Sequence, residues 1–240
     1  MRKKKQTSQV YDFNDKTNLV QKTRQRKVEM IPRSLAQENY VADLCNVDTR
    51  ITFALGPAGT GKTLLAVMNA IRLLKENQIS RIVITRPAVS VDEQHGFLPG
   101  DLNQKMEPWT RPIMDVFEEY WNPAEIKAMI EDRVIEIAPL AYMRGRTFKD
   151  AYIVADEIQN ATPSQVKMLL TRMGEGSYCS VTGDLKQHDR GFEENGLKDF
   201  VERLEANGGS HGMGITYFER RDVERDPIVQ AVLAVYGEDD

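Results

Sequence analysis

Six short apolar runs punctuate this chain, each with the length and β-branched content of a buried strand: Ile51–Leu55, Ile82–Thr85, Val134–Ile137, Ala151–Ala155, Tyr178–Thr182 and Ile215–Phe218. Between the first two the period becomes helical, with Leu64, Leu65, Val67, Met68, Ile71 and Leu74 on one side of a stretch running to about Glu76. Further helices are expected from an N-cap at Ser34 to about Leu44, around Ile113–Trp121, and over Pro123–Asp132. Another is expected over Pro163–Met173, with Thr162 as its cap and Pro163 in its first turn. Residues 88–108 read as a long connection rich in glycine, proline and charge, and such a connection in a compact domain usually carries function. Strands alternating with helices imply an α/β architecture, a parallel sheet with helices on both faces.

The segment joining the first strand to its helix has a chemistry of its own. Gly56-Pro57-Ala58-Gly59-Thr60-Gly61-Lys62-Thr63 is a complete G-x-x-x-x-G-K-[ST] phosphate-binding loop in the strand–loop–helix context the motif requires. Its glycines let backbone N–H groups turn inward around phosphate oxygens, and the new helix offers them its positive end. Lys62 is expected to reach the β- and γ-phosphates, and the Thr63 hydroxyl to bind Mg²⁺.

Hydrolysis also needs an acid to hold the metal and a group to position water. Tyr152-Ile153-Val154-Ala155-Asp156-Glu157 is an apolar strand ending in two acids, the form of a Walker B segment. Asp156 is expected to hold Mg²⁺ and Glu157 to polarise the attacking water. A second strand, Tyr178–Thr182, runs into Gly183-Asp184 with Gln187 one turn later, where a γ-phosphate could be sensed; by itself that pattern is also ordinary turn chemistry. Arginines end strands and helices or sit in loops, at Arg86, Arg144, Arg146, Arg172, Arg220, Arg221 and Arg225. One of them could stabilise transition-state charge in cis or from a neighbouring subunit, whereas any single one could equally be solvated.

Composition narrows the setting. The chain has 240 residues, enough for one α/β domain with a substantial core. No apolar run approaches a membrane span, and the basic N-terminus lacks the features of a signal peptide. Cys45 and Cys179 stand in no metal-like spacing, so a reducing, cytoplasmic location is expected (host cytoplasm if phage-encoded). Net charge is −4, but residues 1–33 hold ten Lys/Arg against three acids, an excess of seven that leaves the remainder at −11. This arm could neutralise phosphates of RNA or DNA, or simply remain a solvated tail. Two units are therefore expected, a basic and flexible arm over 1–33 and the domain over 34–240.

With these motifs in place, the chain resembles the PhoH-like ATPases, the phosphate-starvation-inducible family of bacteria and phages. The resemblance runs from Gln37 to Tyr236 and is carried by the phosphate loop, Thr85–Val89, Gly96–Leu102, Ala138–Thr147, Asp156–Pro163, Leu170–Gly174, Thr182–Gln187 and Asp222–Arg225. It departs from the family pattern at Ala36, Ala155 and Asp226. The family is similar to the first motor domain of superfamily I helicases, which implies a RecA-like P-loop NTPase fold with ATP and Mg²⁺ as ligands. By that likeness Gln37 reads adenine, Tyr40 is the aromatic that follows it, Asp184 and Gln187 sense the γ-phosphate, and Arg225 is the leading arginine finger. The chain continues for only about 80 residues beyond the Walker B acids, too few for a second motor lobe. The expectation is a homo-oligomer, a hexameric ring by family resemblance, whose finger comes from the neighbouring protomer and whose channel passes RNA or single-stranded DNA. An ATP-gated assembly module with little turnover is the alternative.

Overall fold

A computed structural model describes residues 26–87, 102–187, 195–209 and 212–225, with 228, 229, 232, 235 and 236; for 102–108 the backbone alone is described. Most of the arm and most of the expected 88–108 connection lie outside these residues.

Six strands form one sheet: β1 (Ile51–Leu55), β2 (Arg81–Thr85), β3 (Ile135–Ile137), β4 (Ala151–Ala155), β5 (Tyr178–Gly183) and β6 (Met213–Tyr217). Their order is β3-β2-β4-β5-β1-β6, and every pairing is parallel. The fold is therefore α/β and RecA-like, with β5 inserted between the phosphate-loop strand β1 and the Asp156 strand β4. Register sets the C-terminal ends level, since Leu55 lies opposite Gly183 and Tyr217, and Ala155 opposite Val181 and Thr85. In open parallel sheets, ligands bind beyond these carboxyl ends.

Successive residues of a strand face opposite sides, and both sides are apolar here, so two cores form. On one side Ala54, Ile82, Ile84, Tyr152 and Val154 meet α1 (Leu35–Cys45), α2 (Lys62–Lys75), α3 (Leu102–Glu118) and α4 (Pro123–Glu131). On the other, Phe53, Leu55, Val83, Ile153 and Val181 meet α5 (Pro163–Leu170), α6 (Gly196–Ala206) and the 3-10 turn Leu140–Met143. Local signals start the helices as their residue types dictate. Ser34 Oγ accepts from Gln37 N–H, and Asn122 and Thr162 each close a capping box with a proline in the first turn.

The structure differs from the sequence reading in four places. Helix α3 begins at Leu102, inside the stretch read as a connection, and ends at Glu118. Pro108 and Pro112 look like helix breakers, but Ile113 and Phe117 are buried against α2, and that packing outweighs the lost backbone bonds. Helix α6 was not expected at all. Its signal is present in the Asn195 cap and in the apolar spacing of Leu197, Val201 and Leu204. Helix α5 stops at Leu170, three residues before the expected end, where the Thr171 hydroxyl takes the Lys167 and Met168 carbonyls. Residues 26–33, assigned by charge to the arm, lie on the domain: Val28 is buried, Arg26 pairs with Glu119 at 3.0 Å, and Lys75 Nζ donates to the Arg26 carbonyl.

The two cysteines test the sheet's burial directly. Cys179 lies inside β5, and burial pushes its thiol up to about 12, while Cys45 is exposed at the end of α1. A raised pKa keeps Cys179 protonated from neutral to strongly alkaline pH, so it supplies no thiolate. Thiol titration of native protein should find one fast-reacting group, lost in Cys45→Ser, with the second appearing only on unfolding. Equal reactivity of both would contradict the buried strand.

Candidate functional site

Where the level strand ends meet, the phosphate loop, Asp156, Glu157, Thr182, Gly183, Asp184 and Gln187 surround a cleft of about 190 Å³. The loop's shape is fixed by backbone that only glycine tolerates. Gly56 has φ +144°, and a Cβ there would stand 2.2 Å from the Phe218 carbonyl oxygen. Gly61, at φ +81°, caps α2, whose first N–H groups have no partner within the helix and form the anion-binding end. Gly59, at φ +81°, sits between Thr60 and the segment after β6, where the Glu224 amide donates to its carbonyl at 3.1 Å.

Lys62 is turned onto its own loop. Its Nζ donates to the Gly56 carbonyl at 2.7 Å, the Pro57 carbonyl at 2.6 Å and Thr60 Oγ1 at 3.3 Å. Burial lowers its pKa, and the carboxylates of Asp184, Glu157 and Asp156 oppose that shift. A phosphate entering the cleft would replace neutral carbonyls with charged oxygens as acceptors, a stronger pairing.

Asp156 joins three elements at one atom. Its Oδ1 accepts from Thr63 Oγ1 at 2.7 Å and from Thr182 Oγ1 at 2.6 Å, while its Oδ2 lies 4.0 Å from Arg86. Its backbone N–H donates to the Thr85 carbonyl, extending the β2–β4 ladder. Among the described residues no cluster of three or more His, Cys, Asp or Glu could hold a metal. The oxygens of Asp156 and Thr63 nevertheless fit Mg²⁺, a hard cation usually held by one or two protein oxygens with phosphates and waters completing its shell.

Glu157 adopts the left-handed region, at φ 55° and ψ 37°. For a residue other than glycine that conformation costs about 1–2 kcal/mol. Strain of this kind clusters at functional sites, and here it ends the strand and starts the turn Ile158–Asn160. The Glu157 carboxylate is held by Gln159, a residue the sequence reading passed over. Gln159 is 1% exposed; its Nε2 donates to Glu157 Oε2, and its Oε1 accepts from the Asp184 N–H at 3.2 Å. One buried amide therefore links the Glu157 carboxylate to the Asp184 backbone. Thr182, the second hydroxyl on Asp156, was also missed as a site residue; its position one residue before Gly183 was the available signal. Asp184 Oδ1 accepts from the Lys186 N–H, and the Gln187 N–H donates to the Asp184 carbonyl, which forms the turn that brings Gln187 to the cleft.

Five expected residues stand outside the cleft's lining: Pro57 and Thr60 of the loop itself, and Gln37, Tyr40 and Arg225. Gln37 is buried behind the loop: its Nε2 donates to the Thr60 carbonyl at 3.1 Å and its Oε1 accepts from the Arg33 N–H at 2.8 Å. Tyr40 requires a correction. The helical spacing that follows Gln37 turns its ring into the core, fully buried edge-on against Phe218, so it supports the loop from beneath and cannot contact a bound base. Arg225 follows Glu224, the residue bonded to Gly59. Among the described residues that line the cleft, Lys62 is the one cation.

Replacing Gly56 by alanine tests this construction without reference to any ligand. The clash with the Phe218 carbonyl, added to the unfavourable φ, should cost about 2 kcal/mol and lower Tm by about 4–8 °C. An unchanged Tm would show that the loop does not hold this conformation.

Comparison with known proteins places this geometry. The family model described as PhoH-like protein matches residues 29–237. A PhoH-like protein of Synechocystis is 43% identical over 205 residues, covering 85% of this chain and 61% of the relative. One from Bacillus subtilis is 44% identical over 206 residues, covering 85% and 63%, and Protein PhoH of Escherichia coli K12 is 38% identical over 212 residues, covering 87% and 58%. The chain thus spans about three fifths of these relatives' length. Among solved structures, the DEAD-box helicase Mss116 bound to ssRNA and UDP-BeF matches with a TM-score of 0.40 and 17% identity, over 77% of this chain and 39% of that one. No helix among the described residues is long and apolar enough to cross a membrane. With the family model spanning both sheet and cleft, and relatives near 40% identity, this chain belongs to the PhoH-like protein family.

Proposed function

We propose that this protein is a Mg²⁺-dependent ATPase that assembles as a homo-oligomeric ring and couples hydrolysis to binding or remodelling of RNA or single-stranded DNA in the cytoplasm. The observation that carries the hydrolytic reading is the convergence on one cleft of Lys62, the Thr63–Asp156 pair and a Glu157 oriented by its own buried partner.

In this reading the loop N–H groups and the start of α2 hold the β- and γ-phosphates, and Lys62 leaves its carbonyls to pair with them. Mg²⁺ held by Thr63 and Asp156 would offset phosphate charge. Glu157, beside the γ-phosphate, draws a proton from the attacking water, and Asp184 with Gln187 responds to loss of the phosphate. Gln37 favours adenine with the amide valences left over from Arg33 and Thr60. Arg225 from a neighbouring protomer supplies the positive charge that the cleft's lining holds only at Lys62. The competing reading, an ATP-gated assembly module with negligible turnover, draws on the self-engaged state of Lys62.

Lys62→Ala should abolish ATP turnover, and wild-type turnover in that variant would sink the assignment. Glu157→Gln should retain ATP while losing about 10²- to 10⁴-fold in kcat, the range for general acid–base groups. If wild type itself turns over no faster than Glu157→Gln, the assembly reading takes its place.

The Gln159 amide adds a separate expectation. Gln159→Leu removes two buried hydrogen bonds, one of them to a carboxylate, each worth about 1–3 kcal/mol. With about 1.4–2.7 kcal/mol of that total expressed in the transition state, kcat falls about 10- to 100-fold, with KM for ATP changed less than about twofold. A rise in KM at constant kcat would instead make Gln159 a nucleotide-binding residue.

A further inference from the structure

A second groove, of about 710 Å³, runs between the turn after β3 and helix α5. The chain is net −4, yet among the described residues every charged one lining this groove is basic: Arg144, Lys167 and Arg172. Other helices neutralise their surface cations one turn away, as in Arg72–Glu76 on α2, Arg111–Asp115 on α3, Lys127–Glu131 on α4 and Arg203–Asp199 on α6. Helix α5 contains no acidic residue, and its Lys167 is exposed with Pro163 and Thr171 at the positions one turn away.

The groove is also rigidly made. Of the two arginines in Arg144-Gly145-Arg146, the second is spent on structure: it grips Glu136 through both guanidinium nitrogens and lies over the Phe148 ring at 4.5 Å. Gly145, at φ +78° with open space beside it, reverses the chain and leaves Arg144 exposed. Arg172 bolts the two walls together, donating from Nη1 to the Arg146 carbonyl and from Nε to the Met168 carbonyl, both at 3.2 Å. Tyr142, 61% exposed, stands two residues before Arg144.

We propose that this groove holds the backbone of single-stranded nucleic acid, with Arg144 and Lys167 on phosphates and Tyr142 against an unstacked base. Cations with no acidic partner among the described residues, and an exposed aromatic two residues from one of them, are the combination that single strands use, whereas an acidic peptide offers the ring nothing to stack on it. The groove runs alongside α5, which starts only seven residues after Asp156 and ends near the Phe148–Met173 pairing that precedes the starts of β4 and β5. It deepens the proposed function by naming where the polymer sits, and it stands or falls separately from hydrolysis.

Binding of fluorescent oligouridylate and oligodeoxythymidylate to the full chain, measured by anisotropy across a salt series, tests it; the two arms separate RNA from DNA. The double variant Arg144→Ala/Lys167→Ala should bind about tenfold or more weakly, and the slope of log affinity against log salt should shrink by about 1.4, at 0.7 per lost phosphate contact. Tyr142→Ala should weaken binding while leaving that slope unchanged, and it serves if the double variant folds poorly. Wild-type affinity and slope in the double variant would overturn the proposal. So would failure of the unmodified protein to bind either oligonucleotide, which leaves the ATPase assignment to the Lys62 and Glu157 variants. Loss of oligomer mass in the double variant, with unchanged oligonucleotide affinity per chain, would assign the groove to a neighbouring copy and overturn it as well.

Discussion

Asp156 Oδ1 accepts two hydroxyl hydrogen bonds, from Thr63 at the start of α2 and from Thr182 at the end of β5, and the rest of the site is arranged around that atom. Two segments of the chain, separated by 93 and 26 residues from their common acceptor, end within reach of it. Only a parallel sheet in this register can bring them there. With β5 between β1 and β4, Thr182 faces Ala54 across one ladder, and Asp156 emerges one residue beyond Ala155 on the next. A buried carboxylate with fewer partners would be costly, so the two hydroxyls make its position tolerable as well as defined.

The phosphate loop depends on support that comes from far along the chain. Its first glycine lies against the Phe218 carbonyl, its Thr60 carbonyl is gripped by the Gln37 amide, and its Gly59 carbonyl is capped by the Glu224 N–H. Arg33 and Glu224 also meet at 3.4 Å, so the entrance to α1 and the exit from β6 touch behind the loop. An exposed pair at that distance contributes little stability. Its importance is geometric, because the chain that enters the domain and the chain that leaves it both rest on the same eight-residue loop.

Much of this was legible in the sequence because the decisive signals are local. A glycine pattern between a strand and a helix, an apolar run ending in Asp156-Glu157, and capping residues at Ser34 and Thr162 each report their own immediate surroundings. The sites of failure were the places where distant packing decides. Pro108 and Pro112 argue locally against a helix that burial of Ile113 and Phe117 sustains. Tyr40 was placed by its neighbour Gln37, yet one helical step separates a residue behind the loop from one in the core. Gln159 could not be found from the residues alone, since its role arises from Glu157 and Asp184 arriving at the two ends of one amide.

The cleft shows how a cluster of charged and polar side chains can be partly buried and still be stable. Each reactive group already has a partner of suitable polarity: Lys62 has the loop carbonyls, Thr63 has Asp156, and Glu157 has Gln159. These placeholders prevent an unpaired charge from distorting the fold, and they hold each group within the cleft it is to serve. They also set what a ligand must offer. A neutral molecule gains little by displacing carbonyls from Lys62, whereas a polyphosphate brings charged oxygens that pair about twice as strongly. The loop's own hydrogen bonds would thus favour a phosphate over a neutral ligand before any base or metal is considered.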